Sequence, residues 1–287
     1  MVKPGLQTKG SSFLAQTHAA RIAGKGRISI IIPALNEAKN LPQTLHAAQR
    51  GQPCEIIVVD GGSTDQSLEV ARSMDAIVLN GPRSRALQMN QGAAIATGEY
   101  LLFLHADTWL PSDYSVHVPA LLRQPGVSGG AFTFGIASDF VGRRLVESTT
   151  NWRARRWQLP YGDQALFLRR ESFTQLGGFR QVPIMEDYEF VRRLRRLGRI
   201  VIAPSTAMTS GRRWQRLGCV PTTLVNKAMI LGYHLGVPLS CLAAWYRGER
   251  AERATCSRSP EPSCERRQVS EQGSVRVESF VAKGNPE

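Results

Sequence analysis

Ile28-Ser29-Ile30-Ile31-Ile32-Pro33-Ala34-Leu35-Asn36-Glu37 and Glu55-Ile56-Ile57-Val58-Val59-Asp60-Gly61-Gly62-Ser63-Thr64-Asp65 decide the fold of this chain. Each is a short aliphatic run that breaks abruptly into polar and turn residues. Such runs, rich in Ile and Val and without polar alternation, suit strands buried on both faces of a parallel sheet. The same texture predicts further strands at Ala76–Leu79 and Tyr100–Leu104, with helices at Ala38–Arg50, Gln66–Met74 and Ser84–Thr97 between them. Strand and helix in regular succession imply an α/β layer with right-handed crossovers. In such sheets ligands sit beyond the carboxyl ends of the strands, so the polar residues after each run become the search list. The second half is more mixed, with strands expected at Gly129–Gly135, Gln164–Leu168 and Arg199–Ala203 and helices at Phe140–Trp157 and Glu186–Leu197.

The chain has 287 residues, 42% of them hydrophobic, and 36 Lys+Arg against 23 Asp+Glu give a formal charge of +13. A chain of this size buries about three quarters of its unfolded surface and needs no staple. Disorder, collagen and a disulfide miniprotein are excluded as the main architecture. Cys54, Cys219, Cys241, Cys256 and Cys264 lack Cys-x-x-Cys spacing and read as reduced thiols in a cytosolic protein without a zinc site. The positive charge gathers in Arg143–Arg170 and Arg192–Arg216. It would attract nucleic acid, anionic lipid or phosphorylated ligands alike. No aromatic-interleaved basic ribbon or zinc-finger spacing points to nucleic acid, and Arg195, Arg196 and Arg199 read as a solvated face.

Residues 1–26 are expected to be a disordered extension without a secretory signal, although an acid-free, Ser/Thr-bearing start leaves organelle targeting open. A globular domain is expected over 27–247 and a disordered polar tail over 248–287. Ala228–Tyr246 carries only His234 as a titratable group, approaching the ~20 apolar residues of a membrane span. Gly232, Gly236, Pro238 and Ser240 interrupt it. Two short apolar helices are therefore expected over 224–246, packed on the domain or lying at a membrane surface.

Four stretches carry candidate chemistry. Asp65 reads equally as a helix cap or a functional acid; Asp60 precedes the turn, where a carboxylate can accept a base imide or a ribose hydroxyl. No G-x-G-x-x-G follows the first strand and no P-loop appears, which disfavours NAD enzymes and P-loop NTPases. His105-Ala106-Asp107 places an imidazole and a carboxylate at alternate positions, where they can converge. One acid plus one His is an incomplete ligand set; Mg²⁺ or Mn²⁺ there would complete its shell from substrate phosphates and water. The competing role is a strand-end His with Asp107 capping the helix begun at Pro111. Glu186-Asp187-Tyr188-Glu189 opens a helix, where acids complement the dipole, yet one acid can face a cleft as general base. Arg212-Arg213-Trp214 lies in a Gly- and Ser-flanked stretch that reads as a loop, where guanidinium forks can grip phosphate and Trp can stack on a sugar or base.

Together and in order, Ile30–Glu37, Val58–Asp65, Phe103–Thr108, Gly177-Gly178-Phe179 and Glu186-Asp187 resemble the family 2 inverting glycosyltransferases with the GT-A fold. Tyr161-Gly162-Asp163-Gln164 and Arg212-Arg213-Trp214 add a likeness to the radical-SAM/selenodomain-associated subgroup. The resemblance spans about Arg27 to Arg247. It implies an α/β GT-A fold, Rossmann-like, with a mostly parallel central sheet flanked by helices. It implies a nucleotide pocket at Pro33, Asn36, Glu37, Asp60, Arg85 and Ala106, with Asp60 on a base, uracil by preference. Asp107 stands at the last acid of the family's Asp-x-Asp motif, whose first acid is here His105, so both are implied ligands of a divalent metal. Asp187 matches the catalytic base and Glu186 its neighbour. Arg213 falls near the diphosphate, and Asp163 and Trp214 near the acceptor. The implied partners are a UDP-sugar donor and a hydroxyl acceptor, a lipid among the candidates, with no nucleic acid and with peripheral contact at the inner face of a membrane. A sugar-nucleotide pyrophosphorylase would need a Gly-rich basic loop after the first strand. A non-catalytic binder of nucleotides or anionic lipid is the remaining alternative, which turnover of a donor would separate.

Overall fold

A computed structural model describes residues 26–247. The expected extension up to residue 25, the expected tail from 248 onward, and Cys256 and Cys264 lie outside the described residues. Eight strands form one sheet: β1 Ile28–Ala34, β2 Glu55–Asp60, β3 Ile77–Asn80, β4 Tyr100–Phe103, β5 Thr108–Trp109, β6 Val127–Ile136, β7 Leu166–Arg169 and β8 Arg199–Thr209. Their spatial order is β3-β2-β1-β4-β7-β6-β8-β5. The first four strands pair in parallel, β7 runs antiparallel to both β4 and β6, and β6 pairs in parallel with β8.

The aliphatic runs explain this arrangement. Every residue of β1 is buried, and its alternating side chains serve two cores. Ile28, Ile30 and Ile32 pack with Leu41 and Leu45 of α1 (Leu41–Gln49) and with Tyr114 and Val118 of α4 (Tyr114–Leu122). Ile31 packs on the other face with Ala86 and Met89 of α3 (Arg85–Ile95) and with Phe190 and Leu194 of α7 (Glu186–Leu194). Burial of each such side chain contributes roughly 1.5–3 kcal/mol. Gly92 permits the close approach of α3, because a Cβ there would lie 2.5 Å from Ile31 Cγ2. Between these elements run α2 (Ser67–Ser73), α5 (Arg143–Trp157) and α6 (Arg170–Gln175).

Several boundaries differ from expectation for local reasons. The strand expected from Gln164 begins at Leu166, because Gly162–Gln164 form a 3-10 turn. The buried Gln164 side chain braces that turn, donating to the Phe132 carbonyl at 3.0 Å and accepting from the Tyr161 amide. The last strand runs on past Ala203 to Thr209, carrying a bulge where Ala203 and Thr206 face Phe132 and Thr133. The helix expected from Phe140 starts after Gly142, whose φ of 92° bends the chain. The loop expected at Arg212–Trp214 is the first turn of a short helix, α8 (Arg212–Leu217), bounded by Gly211 and Gly218.

The apolar C-terminal stretch forms α9 (Cys219–His234) and α10 (Leu239–Arg247). Gly236, at φ 77°, and Pro238 turn the chain between them. Among the described residues no helix is long and apolar enough to cross a membrane.

Candidate active site

The loops after β1 and β2 lock together at the carboxyl edge of the sheet. Asn36 adopts a left-handed conformation (φ 55°), which Asn tolerates better than most residues. Its amide donates to Ser63 Oγ at 2.9 Å, while its Oδ1 accepts from the Thr64 amide at 2.8 Å. The Glu37 amide donates to Ser67 Oγ at 2.8 Å and the Ala38 amide to Asp65 Oδ2 at 3.1 Å. Asp65 also accepts from the Ser67 hydroxyl and amide; the hydroxyl bond is the main cause holding its pKa below the usual value. Asp60 is buried, and its Oδ2 accepts from the Gly62 and Ser63 amides at 2.9 Å each, with the Ser63 hydroxyl on Oδ1. A carboxylate has about four lone-pair sites, so three donors leave room for one more.

Beside this rim opens a cleft of about 1580 Å³. A single drug-sized ligand typically occupies a pocket of about 300–1,000 Å³, so there is space for two substrates. Pro33 and Glu37 line one end, Arg85 the start of α3, and His105, Ala106 and Asp107 the segment after β4. Asp163, Glu186 and Asp187 also line it, as do Arg212 and Trp214 of α8. Asn36 and Asp60 are not among the described residues that line it. The side chain of Arg213 lies outside the described residues.

Charge in the cleft is organised in two clusters. In the first, Arg212 Nη2 donates to both Glu37 oxygens, at 2.9 and 3.0 Å, and to Asp107 Oδ2 at 2.9 Å. In the second, Arg85 Nη1 donates to Glu186 Oε1 at 3.1 Å. Burial raises the Glu186 pKa, and the Arg85 guanidinium works against that rise. The neighbouring Asp187 is held differently: Oδ2 accepts from the Gly162 amide and Oδ1 from the Tyr188 amide, both at 2.7 Å. The general-base geometry needs such a fixed yet cleft-facing carboxylate.

Gly162 also borders His105. A Cβ on Gly162 would sit 2.7 Å from His105 Nε2 and 3.1 Å from Asp187 Oδ2, so no larger residue fits there without displacing one of them. Burial, reinforced by Arg85, pushes the His105 pKa down to about 4 and leaves the imidazole neutral at physiological pH. Asp163 moves the opposite way. Burial pushes its carboxyl up to about 6, with Asp187 and Asp107 adding repulsion and Arg153 opposing them. Its Oδ1 is buried without a hydrogen-bond partner. Arg153 stacks 3.4 Å over the Tyr161 ring, a cation–π contact, and burial raises the Tyr161 hydroxyl to about 12.

Trp214 was expected to be a loop residue free to stack on substrate. Its ring instead lies nearly parallel to Phe140, with centroids 6.5 Å apart at 9°, and 6.0 Å from Phe134. That packing anchors α8 while leaving Trp214 on the cleft wall. The segment from His105 to Asp107 is a turn rather than a strand extension, and Asp107 pairs with Arg212 rather than capping the helix after Pro111. Among the described residues no cluster of three or more His, Cys, Asp or Glu could by itself hold a metal. The donor set nonetheless fits one, because a single guanidinium nitrogen contacts the carboxylates of both Glu37 and Asp107. A divalent cation with two carboxylates draws its other ligands from phosphate and water.

Three contributors escaped sequence reasoning. Gly162 positions Asp187 through its amide, Arg153 faces Asp163, and Arg212 rather than its neighbour engages Asp107. Gly162 and Arg212 act across separations of 25 and 105 residues, and Arg153 reaches Asp163 only through the turn that follows its helix, so no local pattern announces them.

The fold and this cleft define a nucleotide-diphospho-sugar transferase of the GT-A class. The chain belongs to glycosyl transferase family 2, whose family model matches residues 29–177. It is 30% identical to the PGL/p-HBAD biosynthesis glycosyltransferase of Mycobacterium tuberculosis (strain ATCC 25177 / H37Ra), over 56% of this chain and 67% of that protein. It is likewise 30% identical to the undecaprenyl-phosphate 4-deoxy-4-formamido-L-arabinose transferase of Pectobacterium atrosepticum, over 45% of this chain and 43% of that protein. Among solved structures it is similar to glucosyl-3-phosphoglycerate synthase from Mycobacterium tuberculosis in complex with Mn²⁺, UDP and phosphoglyceric acid. The TM-score is 0.53 at 21% identity, covering 83% of this chain and 85% of that one. S. aureus TarS 1–349 is similar at a TM-score of 0.51 and 16% identity, over 64% of this chain and 60% of that one. At these identities the structural likeness establishes the fold.

Proposed function

We propose that this glycosyltransferase is an inverting, metal-dependent enzyme that moves a sugar from a UDP-linked donor to a hydroxyl acceptor. The observation that carries the reading is one cleft lined both by Asp187 and by the Glu37–Arg212–Asp107 cluster. The UDP preference rests on the UDP and Mn²⁺ described for the glucosyl-3-phosphoglycerate synthase complex.

The donor lies along Pro33, Glu37, Arg85 and Ala106, with Asn36 and Asp60 shaping the rim and the free acceptor site of Asp60 taking the base imide. Glu37 and Asp107 would hold a divalent cation whose other ligands come from the donor's phosphates and water, and the cation would supply Lewis-acid neutralisation of the leaving diphosphate. Asp187 takes the proton from the acceptor hydroxyl as its oxygen attacks the anomeric carbon. The carbon–oxygen bond to the diphosphate breaks on the opposite face, inverting the centre. The Gly162 amide keeps one Asp187 oxygen in place, and Glu186 keeps Arg85 aimed at the departing charge. Arg85 and Arg212, joined by Arg213, hold the diphosphate through charge-assisted bonds. With a cation between Glu37 and Asp107, Arg212 would be released from these carboxylates to pair with phosphate oxygens.

Asp163 and Trp214 border the acceptor. A lipid acceptor accords with the apolar wall of the cleft and with the undecaprenyl-phosphate named in the Pectobacterium relative. The protein then acts in the cytoplasm, peripherally at the inner face of a membrane, within the radical-SAM/selenodomain-associated subgroup. The test is turnover of a panel of nucleotide sugars with Mn²⁺, in wild type and in Asp187→Asn. Release of UDP from one donor, lost in the variant with UDP affinity unchanged, supports the reading. Equal turnover in both removes Asp187 from the base role, and no turnover of any donor favours a non-catalytic binder.

A further inference from the structure

Surface helices normally turn their apolar face inward. The helix α9 also carries an apolar stripe on its outer side. Val220, Leu224, Leu231 and Leu235 are 66%, 60%, 59% and 72% exposed, and with exposed Lys227 they follow one helical face. Exposed apolar surface of this extent marks an interaction site. On the adjoining α10, Trp245 is 53% exposed. Val141, two residues before α5, is 95% exposed, and its neighbour Gly142 meets the first turn of α9, where a Cβ on Gly142 would lie 3.1 Å from Cys219 Sγ.

The chain segment that carries this face has charge of one sign. From Phe190 to Gly248 the chain holds ten Arg and Lys and no Asp or Glu. An apolar stripe set in an acid-free, basic segment matches the surface of an anionic bilayer, with Lys227 extending its stem toward the phosphates. A second copy of this chain fits less well, since a two-fold contact would set Lys227 of each copy against the same face.

The hairpin is also the wall of the cleft. Met229, Ile230 and Trp245 line it from within, and a Cβ on Gly232 would lie 2.7 Å from Leu242 Cδ2, so the two helices cross closely. Tyr188, the residue after Asp187, bonds His234 Nε2 through its hydroxyl at 2.8 Å and meets the Tyr233 ring edge-on at 5.2 Å. The docking face and Asp187 are thereby held in one frame.

We infer that the α9–α10 hairpin docks the enzyme on an anionic membrane surface through Val220, Leu224, Leu231 and Leu235. An amphiphilic acceptor then passes from the bilayer along the inner side of the same hairpin. That passage rests on the transferase reading above, whereas the docking itself does not. The two fail separately, because docking is read here without turnover.

The experiment is co-sedimentation of the full chain with vesicles of equal phosphatidylglycerol and phosphatidylcholine, and with phosphatidylcholine alone, at low and high salt. The variant Leu224→Glu/Leu231→Glu changes two side chains that do not line the cleft. Wild type is expected to bind the anionic vesicles, at least about tenfold more weakly at high salt as screening removes the charge contribution. The double variant should bind about tenfold more weakly at low salt, with unchanged UDP affinity and thermal unfolding. Absence of wild-type binding, or equal binding by the variant, would overturn the inference. So would a dimer in sedimentation velocity that the variant dissolves without altering vesicle binding, since the face would then join two copies. A parallel variant, Leu224→Gln, separates lost apolar contact from added negative charge should the double variant fail to fold. Its expected drop is smaller but measurable, and unchanged binding by it in that case counts against the inference.

Discussion

The two walls of the cleft are built on different physics. The donor wall, at the ends of β1 and β2, is fixed by backbone amides donating to side chains of the two loops: Asn36 with Ser63 and Thr64, Glu37 with Ser67, Asp60 with Gly62 and Ser63. The wall formed from α8 to α10 rests on a small cluster of Phe134, Ile136, Val146, Phe140, Trp214 and Cys219. It also rests on an Arg212 side chain that is half exposed. A site preorganised on one side and adaptable on the other suits a constant nucleotide and a variable acceptor. It follows that substitutions on the two walls should separate donor binding, turnover and stability.

The largest separation is expected at Asp187. Asp187→Asn keeps acceptors for the Gly162 and Tyr188 amides but removes the base, and kcat should fall by about 10²–10⁴. UDP affinity measured by calorimetry should stay within about twofold; a parallel loss of both would make Asp187 a positioning residue.

Asp163 offers the next effect, in stability rather than rate. Its folded-state carboxyl lies at about 6, against about 4 in the unfolded chain. Between those values the folded protein binds more protons, so stability from this group is complete near pH 4 and lost as pH rises through 6. Asp163→Asn abolishes that loss. The variant should gain on wild type by roughly 2–3 kcal/mol between pH 4 and pH 7 in urea unfolding without metal. His105, pushed down to about 4, acts in the opposite direction, stabilising as pH rises toward 6.5, and cancels in the difference. A difference that does not vary with pH would contradict the Asp163 assignment.

On the adaptable wall the effects shrink. Trp214→Ala removes one half-buried ring from the small cluster and should cost roughly 2 kcal/mol, less than a fully buried aromatic, with little change in UDP affinity. Arg212→Ala should alter stability by less than about 1 kcal/mol, as expected of an exposed ion pair. Its effect belongs in metal-dependent UDP binding, which should weaken. A large loss of stability would place Arg212 in the scaffold instead.

The parallel half of the fold was legible because its signal is local. Ile28–Ile32 and Glu55–Val59 announce buried strands by composition alone, and the turn residues after them mark the ligand-bearing edge. Beyond β4 the signal weakens. Gln164 reads as a strand residue until its side chain is seen bracing the Tyr161–Gln164 turn, and Ala203 reads as a strand end because Pro204 hides the bulge after it. Arg212, Arg213 and Trp214 look like a loop because glycines flank them, yet Phe134 and Phe140 supply the packing that makes them a helix.

In the cleft, the motif residues could be placed in order along the chain, but their partners could not. Gly162 touches both His105 and Asp187 through contacts that no spacing rule contains. The choice of Arg212 over Arg213 as the partner of Asp107 depends on where one short helix begins. Asp60 shows the converse: a position before the turn promised a free carboxylate, and the turn itself folds back onto it.

The most direct measurement is a calorimetric titration of the full chain with UDP, in Mn²⁺ and again in EDTA, for wild type and Asp107→Ala. The account predicts saturable binding to wild type in Mn²⁺, weakened at least about tenfold, or ~1.4 kcal/mol, by EDTA or by the substitution. Folded protein that binds UDP equally well under all these conditions, or under none, would contradict it.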